Sequence, residues 1–168
     1  MITVEHVYKY TNYRSSFADF ARDFFGVETT HNMDTREVDF VGPEELILAL
    51  IVWNALFKFT STYMVAAHNQ IVADHWRHLL IDAVAALPEY LKRNIRTSRD
   101  LVEFDNGNRV IFRVCSENAG KGMTLSSLYV VEPSRIKDGI YNEFMAGILP
   151  VILSGRSNRQ IIRYSRGY

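Results

Sequence analysis

The sequence predicts a single α/β domain, a sandwich of helices around a mainly parallel sheet that carries a β-hairpin. Three observations lead there. Apolar runs of strand length alternate with segments of helical periodicity. Thr62–Ala67 is apolar without alternation, as in a strand covered on both faces. Asp105-Asn106-Gly107-Asn108 separates two strand-like runs, as in a hairpin. A chain of 168 residues, 48% hydrophobic and 23% charged, is long enough for one domain with a proper core and too short for two, so residues 1–168 are expected to form one unit.

Taken in order, residues 14–25 place Phe17, Phe20, Ala21 and Phe24 at helical spacing, with Ser15 or Ser16 to cap and Gly26 to stop a first amphipathic helix. After a polar stretch, the alternation of Glu37-Val38-Asp39-Phe40-Val41 predicts a short strand ending at Gly42-Pro43. A helix should start there, because proline suits a first turn and Glu44 and Glu45 suit the positive end of the helix dipole. The apolar segment 46–57 is broken by Asn54 and falls short of the roughly 18–20 residues a membrane span needs, so it predicts a core helix. Thr62–Ala67 is then a central strand. Val72, Trp76, Leu79, Leu80, Ala83 and Leu87 recur at helical spacing up to Pro88. The hairpin joins 101–104 to 109–114, with Asn106-Gly107 supplying the positive φ angles of a tight turn. A strand over 125–131 closed by Glu132-Pro133, a helix around 140–149 and a strand over 160–164 complete the chain.

Charge and cysteine usage narrow the function classes. The chain is neutral overall, but residues 1–60 carry 5 Lys+Arg against 9 Asp+Glu, and residues 61–168 carry 14 against 10. An overall balance of zero is unlike a dedicated DNA binder, although the basic half leaves DNA as a possible partner. The lone Cys115 forms no internal disulfide and sits in an apolar run as a small buried hydrophobe, which points to a reducing compartment. The N-terminus shows no basic region followed by an apolar stretch, so the expectation is a cytoplasmic protein with no membrane segment.

Several fragments recur in a particular order: Ala67-His68-Asn69-Gln70, Ala85-Ala86-Leu87-Pro88-Glu89-Tyr90-Leu91, Val102-Glu103-Phe104-Asp105-Asn106-Gly107-Asn108, Lys121-Gly122-Met123-Thr124, Ser127-Leu128-Tyr129-Val130-Val131-Glu132, and Leu149-Pro150-Val151-Ile152-Leu153-Ser154-Gly155-Arg156. In order and spacing they resemble the ATPase domain of tailed-phage large terminase subunits of the T4 type, over about residues 8–168, without the nuclease domain of that family. The resemblance implies a P-loop NTPase-like sandwich and a DNA-packaging context.

It also implies three motifs, and all three depart. A Gly-Lys-Ser/Thr loop between first strand and helix would wrap the nucleotide phosphates with backbone N–H groups and add a lysine charge. Its counterpart here is Gly42-Pro43-Glu44-Glu45, where proline removes an N–H donor and two carboxylates face an anionic ligand. The second motif would end a strand in Asp-Glu, and Val131-Glu132 leaves a vestigial carboxylate without the metal-holding partner. The coupling motif aligns with Arg163-Tyr164-Ser165-Arg166, keeping one hydroxyl at Ser165. Gly42 and its turn are expected to keep the shape of a phosphate loop with the wrong charge inside. Gly120-Lys121-Gly122-Met123-Thr124 only superficially resembles such a loop, since Cys115 stands where the leading glycine belongs. Lys121-Gly122 is more simply the counterpart of an Arg-Gly pair in the family.

Other constellations have plainer readings. His75, His78 and Asp82, with Asp74 nearby, share one helix side, but without a fourth ligand they predict a solvated face and no metal site. His68 lies at a strand end, with Asn69 as a helix cap. Arg156, Arg159, Arg163 and Arg166, together with Lys121, suit phosphate contacts, and equally an edge strand protected by charge. Lys92, Arg93, Arg96 and Arg99 form a second basic cluster, expected in a loop. The reading is a non-hydrolysing relative of the terminase ATPase with no cofactor, engaging a protein partner such as a phage packaging component or a host factor. The alternatives are a divergent ATPase component completed by another subunit, and a nucleic-acid-binding module using the arginine-rich C-terminal half.

Overall fold

A computed structural model of the protein describes residues 1–29, 37–58, 61–153 and 159–166. Among these residues five α-helices, α1 (Val4–Ser15), α2 (Phe17–Phe25), α3 (Glu44–Phe57), α4 (Gln70–Ala85) and α5 (Asp138–Leu153), flank seven strands. These are β1 (Glu37–Gly42), β2 (Thr62–Ala67), β3 (Ile95–Ser98), β4 (Leu101–Phe104), β5 (Arg109–Val114), β6 (Ser127–Val131) and β7 (Gln160–Arg166). They form one sheet in the order β1-β7-β6-β2-β5-β4-β3. The first five are parallel, while β4 and β3 are added antiparallel as a hairpin extension.

Strand alternation sorts the core into two layers. Tyr63, Val65 and Ala67 of β2, with Val110, Phe112, Tyr129, Val131, Ile162 and Tyr164, face the helices α1–α4. Met64, Ala66, Leu128, Val130 and Ile161 face α5, where Phe144, Met145, Ile148 and Ile152 cover them. This two-sided burial explains why β2 and β6 carry no polar alternation.

The caps foreseen for residues 14–25 hold for α2: Ser16 Oγ accepts from Asp19 N–H, and Gly26 closes the helix at φ 66. Upstream lies a separate helix, α1, that periodicity did not reveal. Thr3 and His6 form a reciprocal capping box at its start, and Trp53 Nε1–H donates to Tyr13 O at 2.7 Å to tie it to α3. Tyr10 and Tyr13 pack into the core, but Val4, Val7 and Tyr8 face outward, so its apolar residues draw no single stripe along the sequence.

The hairpin turn also differs in detail. Phe104 N–H donates to Asn108 O at 2.8 Å, and Gly107 N–H donates to Phe104 O at 3.0 Å, closing a three-residue loop. Only Gly107, at φ 90, needs a positive angle, and Asn106 does not. The asparagines serve α3 instead. Asn106 Nδ2 donates to Ala55 O at 2.8 Å, while the fully buried Asn108 donates to Ala55 O and Lys58 O and accepts from Ser61 N–H. Carbonyls at the C-terminus of α3 that no helical amide can reach are thus satisfied by side chains of the hairpin loop.

Two placements correct the sequence reading. The basic cluster around Lys92 is not simply a loop: Arg96 lies on β3 and pairs with Glu103 at 3.1 Å, and Arg93 pairs with Asp105 at 3.4 Å. The C-terminal strand is not an edge either, because β7 inserts between β1 and β6. Its position depends on a crossover through α5 that strand propensity does not encode.

Candidate functional site

In an open parallel sheet, ligands meet the carboxyl ends of the strands. Here β1, β7 and β6 end side by side, with Gly42 beside Arg166 and Val131 beside Tyr164 in register. All three departing motifs converge on that edge.

The link from β1 to α3 is short. β1 ends at Gly42 and α3 begins at Glu44, so Pro43 (φ −71, ψ 139) is the whole connection. A phosphate-wrapping loop needs a run of residues between strand and helix, each offering an N–H. One proline provides neither the length nor the donor. The expectation that the shape of a phosphate loop would survive is therefore corrected: the turn itself is gone. Gly42 has another reason to be glycine, since a Cβ there would come within 2.6 Å of the Phe40 ring. Its carbonyl accepts from Tyr164 Oη–H at 3.0 Å.

A self-contained polar network fills the edge. Arg166 reaches Glu44 Oε2 at 3.3 Å through its guanidinium, and its backbone N–H donates to Glu132 Oε1 at 2.9 Å. His75 Nε2 lies 3.9 Å from the same Glu44 oxygen. The charge of Glu44 holds the Arg166 pKa above its ordinary value. Glu132 N–H donates to Tyr164 O at 2.7 Å, and Glu132 sits in the left-handed region at φ 53, ψ 59, the one such non-glycine among the described residues. That conformation is costly for a side chain with a Cβ and persists where neighbours enforce it. Tyr164 is buried between Phe40 and Trp76, with ring centroids 6.0 and 5.8 Å away. Burial, then the charges of Glu44 and Glu132, push its phenol up to about 12.

The other sequence-picked residues divide between this edge and elsewhere. Glu45 is exposed in the first turn of α3. Val131 is fully buried under the helical layer, so its side chain belongs to the core and not to a metal position. Ser165 pairs in register with Val41 beside the edge. Arg163 pairs with Asp39 at 2.5 Å, chiefly through a hydrogen bond that raises its pKa. Arg159 donates to Leu125 O and Val151 O. Three of the arginines considered for nucleic acid, Arg159, Arg163 and Arg166, thus serve internal contacts, Arg156 lies outside the described residues, and Lys121 sits in the segment between β5 and β6. Asn69 caps α4 through Val72 N–H at 2.9 Å and touches His68. His78 engages Asp74 O, and among the described residues no group of three or more His, Cys, Asp or Glu side chains is arranged to hold a metal ion. No described helix is long and apolar enough to cross a membrane.

Sequence reasoning picked Glu44, Glu132 and the coupling segment but missed His75 as a neighbour of Glu44, because helical spacing placed it only on a solvated face.

No family model matches the sequence, and no curated protein matches it. Solved structures do. A mutant of the large terminase ATPase domain of Thermus phage P74-26 superposes with TM-score 0.62 at 16% identity, covering 85% of this chain and 67% of that one. The unmutated P74-26 domain gives 0.59 at 15% identity with the same coverage. The HK97 bacteriophage large terminase gives 0.66 at 9% identity, covering 90% of this chain, which spans 37% of the HK97 protein. The fold is that of phage large terminase ATPase domains.

Proposed function

We propose that the protein is a pseudo-ATPase: a phage-derived relative of the large terminase ATPase domain that does not hydrolyse nucleotide and acts by binding a protein partner, either a packaging component or a host factor. The observation that carries this reading is the closed edge of β1, β7 and β6, where Pro43 is the whole strand-to-helix link and Glu44, Arg166 and Glu132 satisfy one another. A nucleotide phosphate placed there would meet the carboxylates of Glu44 and Glu132 in place of a lysine and a run of N–H groups. One carboxylate oxygen of Glu132 accepts from the Arg166 amide, and the neighbouring place of a metal-holding aspartate is taken by the buried Val131. The nucleic-acid reading is disfavoured because Arg159 and Arg163 already have internal partners. A reducing host cytoplasm is the compartment that fits the lone, buried Cys115.

Phosphate release from MgATP tests the proposal. The protein alone is expected to release none, and mixing it with an active packaging ATPase should add nothing to that enzyme's own rate. Turnover by the protein alone overturns the reading. Turnover appearing only in the mixture, and lost in a Glu132→Gln variant, replaces it with an ATPase component completed by another subunit.

A further inference from the structure

The face of the sheet opposite α3 and α4 is only partly covered. α5 packs over the strands β2, β6 and β7, and no residue of β4 or β5 belongs to the apolar cluster beneath it. Over β4 and β5 lies the segment that carries Gly122, Met123 and Thr124, and between it and the sheet opens a cleft of about 350 Å³. Alternation along β5 places Arg109, Ile111 and Arg113 on this side, since Val110 and Phe112 enter the opposite core. Thr62 stands beside Arg109 in the β2–β5 register, and Thr124 brings a second hydroxyl from the covering segment.

The charges in this cleft do not balance. Asp100 Oδ2 lies 2.9 Å from Arg113 Nε, yet that contact is not aligned as a hydrogen bond, and the buried Nε–H has no acceptor. Among the described residues lining the cleft, Asp100 is the one carboxylate against two guanidiniums, with Glu103 beside Arg109 in the β4–β5 register. Two arginines and two hydroxyls above an apolar floor, with a buried donor lacking an acceptor, are matched to an oxyanion of the phosphate type, whose oxygens accept from guanidinium forks and hydroxyls together.

We propose that this cleft binds a phosphate group through Arg109 and Arg113, assisted by Thr62 and Thr124, with Asp100 as a built-in competitor. The site lies on the opposite face of the sheet from α3 and is independent of the pseudo-ATPase reading. The shared chemistry admits either free phosphate or the phosphodiester backbone of a nucleic acid.

Titration of the full chain with inorganic phosphate, followed by calorimetry, tests it. Saturable binding at millimolar concentration is expected, weakened about tenfold in Arg109→Gln by the loss of a charged donor. Asp100→Asn should tighten it by roughly threefold or more as the competing charge disappears. The paired signs keep the test independent of folding damage, because a merely destabilised variant does not gain affinity, and thermal melting of each variant checks the fold directly. No saturation, or binding that neither substitution changes, overturns the proposal. A short single-stranded oligonucleotide identifies the source: displacement of phosphate with a steep salt dependence assigns the site to a backbone, and phosphate binding without competition assigns it to the free anion.

Discussion

Replacing Glu132 by alanine and by glycine separates a structural carboxylate from a catalytic one. The residue holds a left-handed conformation at φ 53 while its side chain accepts the Arg166 amide at 2.9 Å. For a residue with a Cβ that conformation costs about 1–2 kcal/mol. The half-exposed charged hydrogen bond returns about 1–1.5 kcal/mol. Alanine loses the bond and keeps the strain, so it should destabilise by about 1–1.5 kcal/mol. Glycine loses the bond and sheds the strain, but adds about 0.4–1 kcal/mol of unfolded-chain entropy, so it should lie about 1 kcal/mol above alanine. The usual order, in which alanine is the more stable of the two within regular structure, is therefore reversed. Urea unfolding followed by tryptophan fluorescence provides the assay, since Trp76 packs on Tyr164 next to Glu132. With a slope of about 2 kcal/mol/M, the glycine midpoint should exceed the alanine midpoint by about 0.5 M. Equal midpoints, or alanine the more stable, would refute the claim that strain is stored at this strand end.

Two further outcomes follow from the same geometry. Asn108→Ala removes a fully buried side chain whose amide serves Ala55 O, Lys58 O and Ser61 N–H, and should cost about 3 kcal/mol or more in the same unfolding assay, because buried backbone groups are left without partners. Tyr164, whose phenol is raised from 10.0 to about 12, favours the fold in its protonated form, so its contribution is complete below pH 10 and is lost as pH climbs through 12. Alkaline unfolding of wild type against Tyr164→Phe should show a differential loss of roughly 2–3 kcal/mol over that window, and parallel curves would contradict it.

How much of this was legible depended on where the physical signal lay. Thr62–Ala67 announced itself because burial on both faces removes every polar residue but the first, and Ser16 and Gly26 did so because caps are local chemistry. α1 stayed hidden because its apolar residues are split between the core, with Tyr10 and Tyr13, and solvent, with Val4, Val7 and Tyr8, and because its capping box pairs threonine with histidine in place of an acid. The edge of β1, β7 and β6 was half legible. Gly42-Pro43-Glu44-Glu45 showed the missing chemistry, but the collapse of the turn to one residue depends on where strand and helix end, which local pattern does not fix to the residue. The left-handed Glu132 and the insertion of β7 between β1 and β6 are tertiary facts, set by the Tyr164 and Arg166 contacts and the crossover through α5. Asn106 and Asn108 pointed correctly to a hairpin, while their work at the end of α3, some fifty residues earlier in sequence, lay beyond any local pattern.

The central claim is that the nucleotide site is closed in shape as well as in charge. Calorimetric titration with MgATP tests it most directly when run on wild type and on a Glu44→Lys, Glu45→Ser double variant that restores the lost lysine and hydroxyl. With Pro43 as the whole link, no heat of binding is expected from either protein. Micromolar affinity in wild type, or its appearance in the double variant, would contradict the account.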